Sequence, residues 1–399
     1  MNLAKRLQLI KPSPTLMVTV QVAALRRQGI DVIDFGAGEP DFDTPEHIKE
    51  AAITALRQGK TKYTPVGGTA ELKEAIIAKL QRDNGFTYST QEVTSNCGGK
   101  HTLFNAFHAL FDDGDEVLIP APYWVSYSDM AILAGGQPKL LMTDEKTGFK
   151  ITAAQLEAAI TPHSKALLLN SPSNPTGAAY TEDELRQIAE VIDKSSLFVI
   201  SDDVYEKFLY DSPECPHLLK LKPHLRERVL IANSVSKTYA MTGWRLGYAA
   251  GPKALISAIE TLQSQSTSNP TSIAQAAAVE ALTGAQESVG IMAKEFAKRR
   301  NYVVDRLRAL PGISCNLPEG AFYVFPRVSS YFGAKWQDKT ISSAMDLSLY
   351  LLQEGKVALV AGEGFGSSEH VRISYATSMK NLEQGLNQIE AALKRLLPL

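Results

Sequence analysis

Apolar positions along this chain recur in two rhythms. In "TPEHIKEAAITALRQ", residues 44 to 58, the residues Ile48, Ala51, Ala52, Ala55 and Leu56 fall three and four apart, which places them on one helical face. Thr44 is positioned to cap that helix, Pro45 suits its first turn and Glu46 favours the positive end of its dipole. Similar spacing predicts helices over 69–82 and 100–111. From about 115 to 250 the rhythm changes, and short apolar runs, "EVLIP", "KALLLN", "LFVIS" and "RVLIAN", alternate with helical stretches such as "TEDELRQIAEVIDK". Short apolar runs without alternation fit strands buried on both faces, as in a parallel sheet covered by helices.

A long helical region follows over 252–310. Beyond it "ISCNL", "AFYVFPRV", "VALV" and "HVRISYA" predict strands, interleaved with helices near 342–354 and 379–396. The expected architecture is α/β. A large domain with a mostly parallel sheet flanked by helices occupies 46–290, a smaller α+β domain occupies 291–399, and the segment 1–45 packs with the small domain.

Composition narrows the partners. The 399 residues exceed one simple core, in keeping with two lobes. Hydrophobic residues at 44% and charged residues at 21% are those of an ordinary soluble globular chain. A net charge of -2 gives no basic field for nucleic acid or an anionic membrane, so an anion must be captured by a local site. Cys97, Cys215 and Cys315 are widely spaced and show neither a paired metal spacing nor a disulfide framework, so a reducing cytoplasm and no metal are expected. The N-terminal "MNLAKRLQLIKPSP" has too short an apolar run for a signal peptide. No stretch approaches about 18 uninterrupted apolar residues, so no membrane span is expected.

Ligands of open parallel sheets bind beyond the carboxyl ends of the strands. There "KALLLN" runs into "SPSNPTG", "LFVIS" into "DDVY" and "RVLIAN" into "SVSK". Three neighbouring loops therefore offer Asn174, then Asp202 and Tyr205, then Ser234, Ser236 and Lys237 to one crevice. A free lysine, with a pKa of about 10.4, is protonated at neutral pH and cannot attack a carbonyl. Partly desolvated beside another cation such as Arg245, Lys237 would lose its proton more easily and could form an imine. Arg245 stays charged, and its planar fork suits a phosphate. In "NCGGKHTLFNAF", Gly98 and Gly99 precede a helix with Leu103, Phe107 and Leu110 on one face, and the free N–H groups of a helix start attract an anion. "GAGEP" at 36–40 lacks the third glycine of a dinucleotide fingerprint, so no nicotinamide site is read from it. Singly, each residue has a plain reading: Lys237 a solvated charge, Asp202 a helix cap, Trp124 core, Arg372 an edge-strand charge. His101 and His108 read as structural.

At these residues a resemblance enters. "SVSKTYAMTGWRLGY" is similar to the pyridoxal-phosphate lysine segment of the class I and II aminotransferases, the fold-type I family. "NSPSNPTG", "SDDVYE", "APYWVSY", "YTPVGGTAELKEAI", "GAGEPDFDTP" and "HVRISYA" match family motifs in family order, from about residue 10 to 395. The branch it resembles most is the bacterial aspartate aminotransferases of class Iβ, some of which also act on prephenate. The resemblance implies that Lys237 holds pyridoxal 5'-phosphate covalently and later shuttles a proton between the substrate α-carbon and the cofactor. Asp202 would pair with the protonated ring nitrogen, and Tyr205 and Asn174 would hydrogen-bond the phenolic oxygen. Trp124 would stack on the ring. The N–H groups of Gly99 and Lys100, with Ser234, Ser236 and Arg245, would hold the phosphate. Tyr63 would reach the phosphate of a neighbouring subunit, which implies a homodimer with composite sites. Arg372 would bind the substrate α-carboxylate bidentately, assisted by the backbone of Gly38, with Trp124 and Asn174 bordering the substrate. Lys11 in "IKPSPT" would take a second carboxylate, because no arginine pattern for it is visible near "QSQSTSNP". Asp203 stands where the family more often has Glu, with little consequence expected.

The implied activity moves an amino group between an L-amino acid, aspartate first, and a 2-oxo acid, with glutamate/2-oxoglutarate as the common pair, in ping-pong fashion. Prephenate or aromatic transamination, a β-lyase or decarboxylase, and a non-catalytic regulator of the same fold stand as alternatives. For the regulator, the residues before "GAGEPDF" are too few to hold a DNA-binding module.

Overall fold

The structure, a computed structural model, describes residues 4–10, 14–212 and 214–396. Its large lobe is built on seven strands: β1 Val93–Asn96, β2 Glu116–Ala121, β3 Gln137–Met142, β4 Ser164–Asn170, β5 Phe198–Asp202, β6 Val229–Ser234 and β7 Gly247–Ala250. They lie in the order β1–β7–β6–β5–β4–β2–β3. Every pairing is parallel except those of β7, which runs antiparallel to both neighbours.

The unbroken apolar runs now have their reason. Successive strand residues point to opposite faces. Leu167 and Val199 join one core, packed against Ile48, Leu72, Ile76 and Ile188 of the helices Glu46–Arg57, Ala70–Asn84 and Glu182–Lys194. Leu168 and Ile200 join another, packed against Leu103 and Phe107 of the helix Gly99–Leu110. Both faces are dry, so both sets of side chains are apolar.

The smaller lobe has a three-stranded antiparallel sheet, Val360–Ala361, Val371–Ser374 and Tyr323–Val324. Beside it Ile33–Asp34 pairs in parallel with Val357–Ala358, and Ile33 and Phe35 enter the small-lobe core. The helix Glu287–Arg308 runs without a break across position 290. Val289 packs in the large-lobe core, while Met292 and Phe296 pack in the small-lobe core. Among the described residues no helix is long and apolar enough to cross a membrane.

Several local expectations are corrected. The helical region 252–310 is three helices, Lys253–Ser264, Ser272–Thr283 and Glu287–Arg308, interrupted where Ser268 takes a positive φ before Pro270. "ISCNL" forms no strand; Ser314 makes only an isolated bridge to Arg327. "AFYVFPRV" keeps two strand residues, Tyr323 and Val324, because Pro326 cannot donate to a ladder. Leu56 is 55% exposed rather than buried on the face with Ile48, Ala52 and Ala55. Thr44 does not cap the helix, which starts from Pro45 without a side-chain cap. Its hydroxyl instead donates to the Ala240 carbonyl at 2.7 Å and accepts from Trp244 Nε1 at 3.0 Å.

The lobes meet tightly at Gly177, in the loop after β4. Its φ is +68°, and a Cβ there would lie 2.5 Å from Pro318 Cβ and 2.7 Å from the Gly320 carbonyl oxygen. Gly177→Ala is therefore expected to cost about 2–4 kcal/mol, from left-handed strain and overpacking together. A thermal melt reads this as a clearly lowered midpoint. An unchanged midpoint would contradict this packing of the lobes.

Candidate active site

Strand register builds the site. Asn170 is paired with Asp202, and Asp202 with Ala232, so β4 and β5 end at one level, β6 runs on past it to Ser234, and all three release their loops on the same side. The loops enclose a cavity of about 340 Å³. Asn170 ties two of them, with Nδ2 donating to the Asp202 carbonyl and Oδ1 accepting from the Asn174 amide, both at 2.9 Å.

One end of the cavity is made for an anion. Gly247 of β7 pairs with Asn96 and with Ser234, and a Cβ on it would stand 2.4 Å from the Gly99 amide nitrogen. The Gly98–Gly99 turn thus rests directly on the strand. Gly98 has φ +95°, and a Cβ there would meet Arg245 Nη2 at 2.4 Å. Arg245 sits in the left-handed region at φ +55°, with Nη1 donating to the Thr242 carbonyl at 2.9 Å. The His101 and Thr102 amides bond back to the Gly98 carbonyl, and among the described residues the Gly99 and Lys100 amides have no protein acceptor. Ser234 and Ser236, both buried, complete a cup of donors around one fixed cation.

The deep wall carries a buried carboxyl. Asp202 Oδ2 accepts from the Tyr127 hydroxyl at 2.6 Å. Burial raises its pKa to about 6; the Asp203 charge adds to the rise and the Tyr127 hydrogen bond opposes it. A cation placed against this carboxyl would bring its pKa back down. Asp203 turns away, accepting from Ser201 Oγ at 2.6 Å and lying 3.2 Å from His217 Nε2. Tyr205 shares a 2.8 Å hydrogen bond with the Tyr323 hydroxyl from the small lobe.

Between these ends stand Lys237 and Arg372. Lys237 Nζ donates to the Gly38 carbonyl at 2.5 Å. Burial lowers its pKa to about 8, opposed by Glu39 and reinforced by the cations Arg372 and Arg245. Arg372 is 2% exposed; Nη1 donates to Asn174 Oδ1 at 3.0 Å and Nη2 to the Gly36 carbonyl at 2.7 Å. Its Nε is buried without a partner among the described residues. A buried donor left unmet marks a place for an acceptor that is not protein. The segment bearing Gly36 and Gly38 is held at its far end by Thr44 and, at Asp41, by a 2.6 Å ion pair with Arg299.

Of the residues expected from sequence, Gly38, Gly99, Lys100, Trp124, Asn174, Asp202, Tyr205, Ser234, Ser236, Lys237, Arg245 and Arg372 all line this cavity. Tyr63 does not. It is 91% exposed, in a surface trough of about 800 Å³. Lys11 lies outside the described residues. Sequence reasoning missed Tyr127, Tyr323 and Asn170. Tyr127 closes "APYWVSY" and Asn170 ends "KALLLN", so position alone could have raised them. Tyr323 sits in a run that otherwise reads as core. His101 and His108 are held locally: His101 Nδ1 accepts from the Cys97 amide, just before the helix, at 3.3 Å, and His108 Nδ1 lies 2.9 Å from the Phe104 carbonyl oxygen within it.

The donor set suits pyridoxal phosphate. The glycine-lined cup fits its phosphate, the buried Asp202 carboxyl a protonated ring nitrogen, and the desolvated Lys237 amine its aldehyde.

The sequence profile of the class I and II aminotransferases matches residues 30–389. A probable aspartate/prephenate aminotransferase of Rickettsia bellii is 49% identical over 98% of both chains. An aspartate aminotransferase of Geobacillus stearothermophilus is 48% identical, again over 98% of both. Among solved structures, the aspartate aminotransferase of Rhizobium meliloti superposes with a TM-score of 0.95 at 47% identity, covering 100% of each chain. The Thermus thermophilus aspartate aminotransferase with maleate gives 0.92 at 41% identity, over 98% of this chain and 100% of that one.

In the cofactor-free chain the Lys237 amine is expected to titrate near its lowered value. Protonated and inert below about 8, it becomes nucleophilic above, whereas an ordinary lysine switches at about 10.4. Labelling with an amine-selective reagent across pH, resolved by peptide mapping, reads this midpoint. A midpoint at 10 or above would contradict the desolvated setting.

Proposed function

The chain belongs to the class I and II aminotransferases, and from that premise we propose that it moves the amino group of aspartate to 2-oxoglutarate with pyridoxal phosphate as its cofactor. The observation that carries this reading is one cavity holding the lowered-pKa amine of Lys237, the buried carboxyl of Asp202 and the Nε of Arg372, which has no partner among the described residues. Pyridoxal phosphate, when bound, supplies an aldehyde that captures amines and a cationic ring that withdraws electrons from the substrate α-carbon.

The chain's own residues do the rest. Gly99 and Lys100 amides, Ser234, Ser236 and Arg245 hold the phosphate, and Trp124 bounds the ring. Asp202 keeps the ring nitrogen protonated; the Tyr127 hydrogen bond holds its carboxylate in place. Tyr205, bonded to Tyr323, has capacity left for a second hydrogen bond, and with Asn174 it serves the phenolic oxygen. Arg372 takes the α-carboxylate with its fork and Nε, which fixes the α-carbon before Lys237. Lys237 Nζ would take the α-proton and give it up to the cofactor's former aldehyde carbon, while the Gly38 carbonyl offers the waiting amine an acceptor. Across two half-reactions the first amino acid leaves as its oxo acid, and the second oxo acid leaves as its amino acid.

A dicarboxylic substrate needs a second cation. Lys100 lines the cavity, with Nζ 4.8 Å above the Trp124 ring and no carboxylate in ion-pair contact among the described residues. This favours Lys100 beside Lys11, which the sequence pointed to. Maleate, in the Thermus structure, is also a dicarboxylate. Prephenate is the second reading, favoured by the names of the Rickettsia bellii and Nitrosomonas europaea relatives. We read the working unit as a cytoplasmic homodimer. The exposure of Tyr63, away from its own cavity, supports its reaching a partner's phosphate, and three free cysteines suit a reducing compartment.

Lys237→Ala is expected to lower kcat by about 10³-fold or more in a coupled transamination assay. Normal turnover by that variant would defeat the reading. Lys100→Ala is expected to raise KM for aspartate by about ten-fold or more, as for a lost charged hydrogen bond, with alanine and phenylalanine little affected. Equal effects on dicarboxylic and monocarboxylic substrates would remove Lys100 from that role.

A further inference from the structure

Tyr205 and Glu206 are adjacent but face opposite ways. Tyr205 lines the active cavity, whereas Glu206 lines a separate small cavity of about 20 Å³ behind it. The Glu206 side chain is 8% exposed, and its carboxylate gathers three donors. Asn84 Nδ2 reaches Oε2 at 2.8 Å and Asn233 Nδ2 reaches Oε1 at 2.8 Å. Lys79 Nζ forms an ion pair with the same Oε1 and donates to Asn84 Oδ1 at 3.0 Å. Lys79 is itself 3% exposed.

The geometry of Asn233 gives this cluster its reach. It is the residue before Ser234, and its Oδ1 accepts the Ser234 amide at 2.7 Å. Asn233 therefore holds the start of the Ser234–Lys237 segment with one end of its side chain and Glu206 with the other. Glu206 belongs to the turn that carries Asp202 and Tyr205, with its amide bonded to the Asp203 carbonyl at 3.0 Å. Lys79 and Asn84 fasten the same carboxylate to the helix Ala70–Asn84.

We propose that Glu206 is a positioning residue: through Asn233, its buried carboxylate sets the spacing between the turn that holds the cofactor ring and the segment that holds the phosphate and the reactive amine. A buried ion pair often adds little net stability over apolar residues of similar volume, so its use here is the fixed geometry it imposes. Misplacement of a reacting group by about 1 Å can cost up to about 10²-fold in rate. Glu206 touches no reacting atom, and the inference rests on the cofactor reading above.

Two double variants isolate the bond. Glu206→Gln with Lys79→Met removes both charges and keeps an oxygen acceptor for Asn233. Glu206→Leu with Lys79→Met removes the charges and the acceptor. Loaded with pyridoxal phosphate, the Gln pair is expected to keep the visible circular dichroism of the bound cofactor and a kcat within about two-fold of wild type. The Leu pair is expected to alter the visible circular dichroism per bound cofactor and to lose about ten-fold in kcat, with KM for the amino acid within about two-fold. Asn233→Ala deletes the same bond from its other end and must reproduce the spectral change, which keeps the test intact where the Leu pair does not fold. Matching spectra and kcat in both pairs, or a loss confined to thermal stability, would overturn the proposal while leaving the cofactor reading standing. A wild-type chain that takes up no cofactor would bring down both.

Discussion

Taking one amine out of water is the constraint on which the rest of this structure turns. Lys237 lies at the carboxyl end of a sheet whose two faces are both covered, with the Gly38 carbonyl as its one hydrogen-bond acceptor among the described residues. Desolvation favours the neutral amine, and Arg245 and Arg372 push the same way. The parallel sheet supplies that setting. Its central strands are parallel and open on one side, so three loops can close over a group that no single loop could bury.

The same low dielectric explains the arrangement of opposite charges along the cavity. A buried carboxyl and a buried guanidinium in one cavity are each costly alone. Asp202 is relieved in part by Tyr127, and Arg372 by Asn174 and the Gly36 carbonyl. Among the described residues Arg372 Nε has no acceptor and Asp202 makes no ion pair. A ligand with a cationic ring, a reactive carbonyl, a phosphate and an adjoining carboxylate completes all of these groups at once, so cofactor and substrate act as missing parts of the core.

Much of this was legible because motif residues sit at strand ends. "KALLLN", "LFVIS" and "RVLIAN" announced buried strands, and the polar residues that follow each run became the cavity wall. Less legible were features that depend on distant pairing. β1 and β7 have polar or small residues, "VTSN" and "GYAA", and carry little apolar signal. Thr44 looked like a helix cap because caps are local, yet its hydroxyl serves Ala240 and Trp244 nearly two hundred positions away. Tyr323 reads as core because its phenol meets Tyr205 only once the lobes are docked. Residue types at a site are written locally; their partners are written in the fold.

The central claim is that the Lys237 amine is tuned for covalent capture of an aldehyde. Borohydride reduction of the chain after incubation with pyridoxal phosphate, followed by peptide mapping, tests it most directly. The account predicts a single stoichiometric modification at Lys237. Reduction that leaves Lys237 unlabelled, or spreads the label over surface lysines, would contradict it.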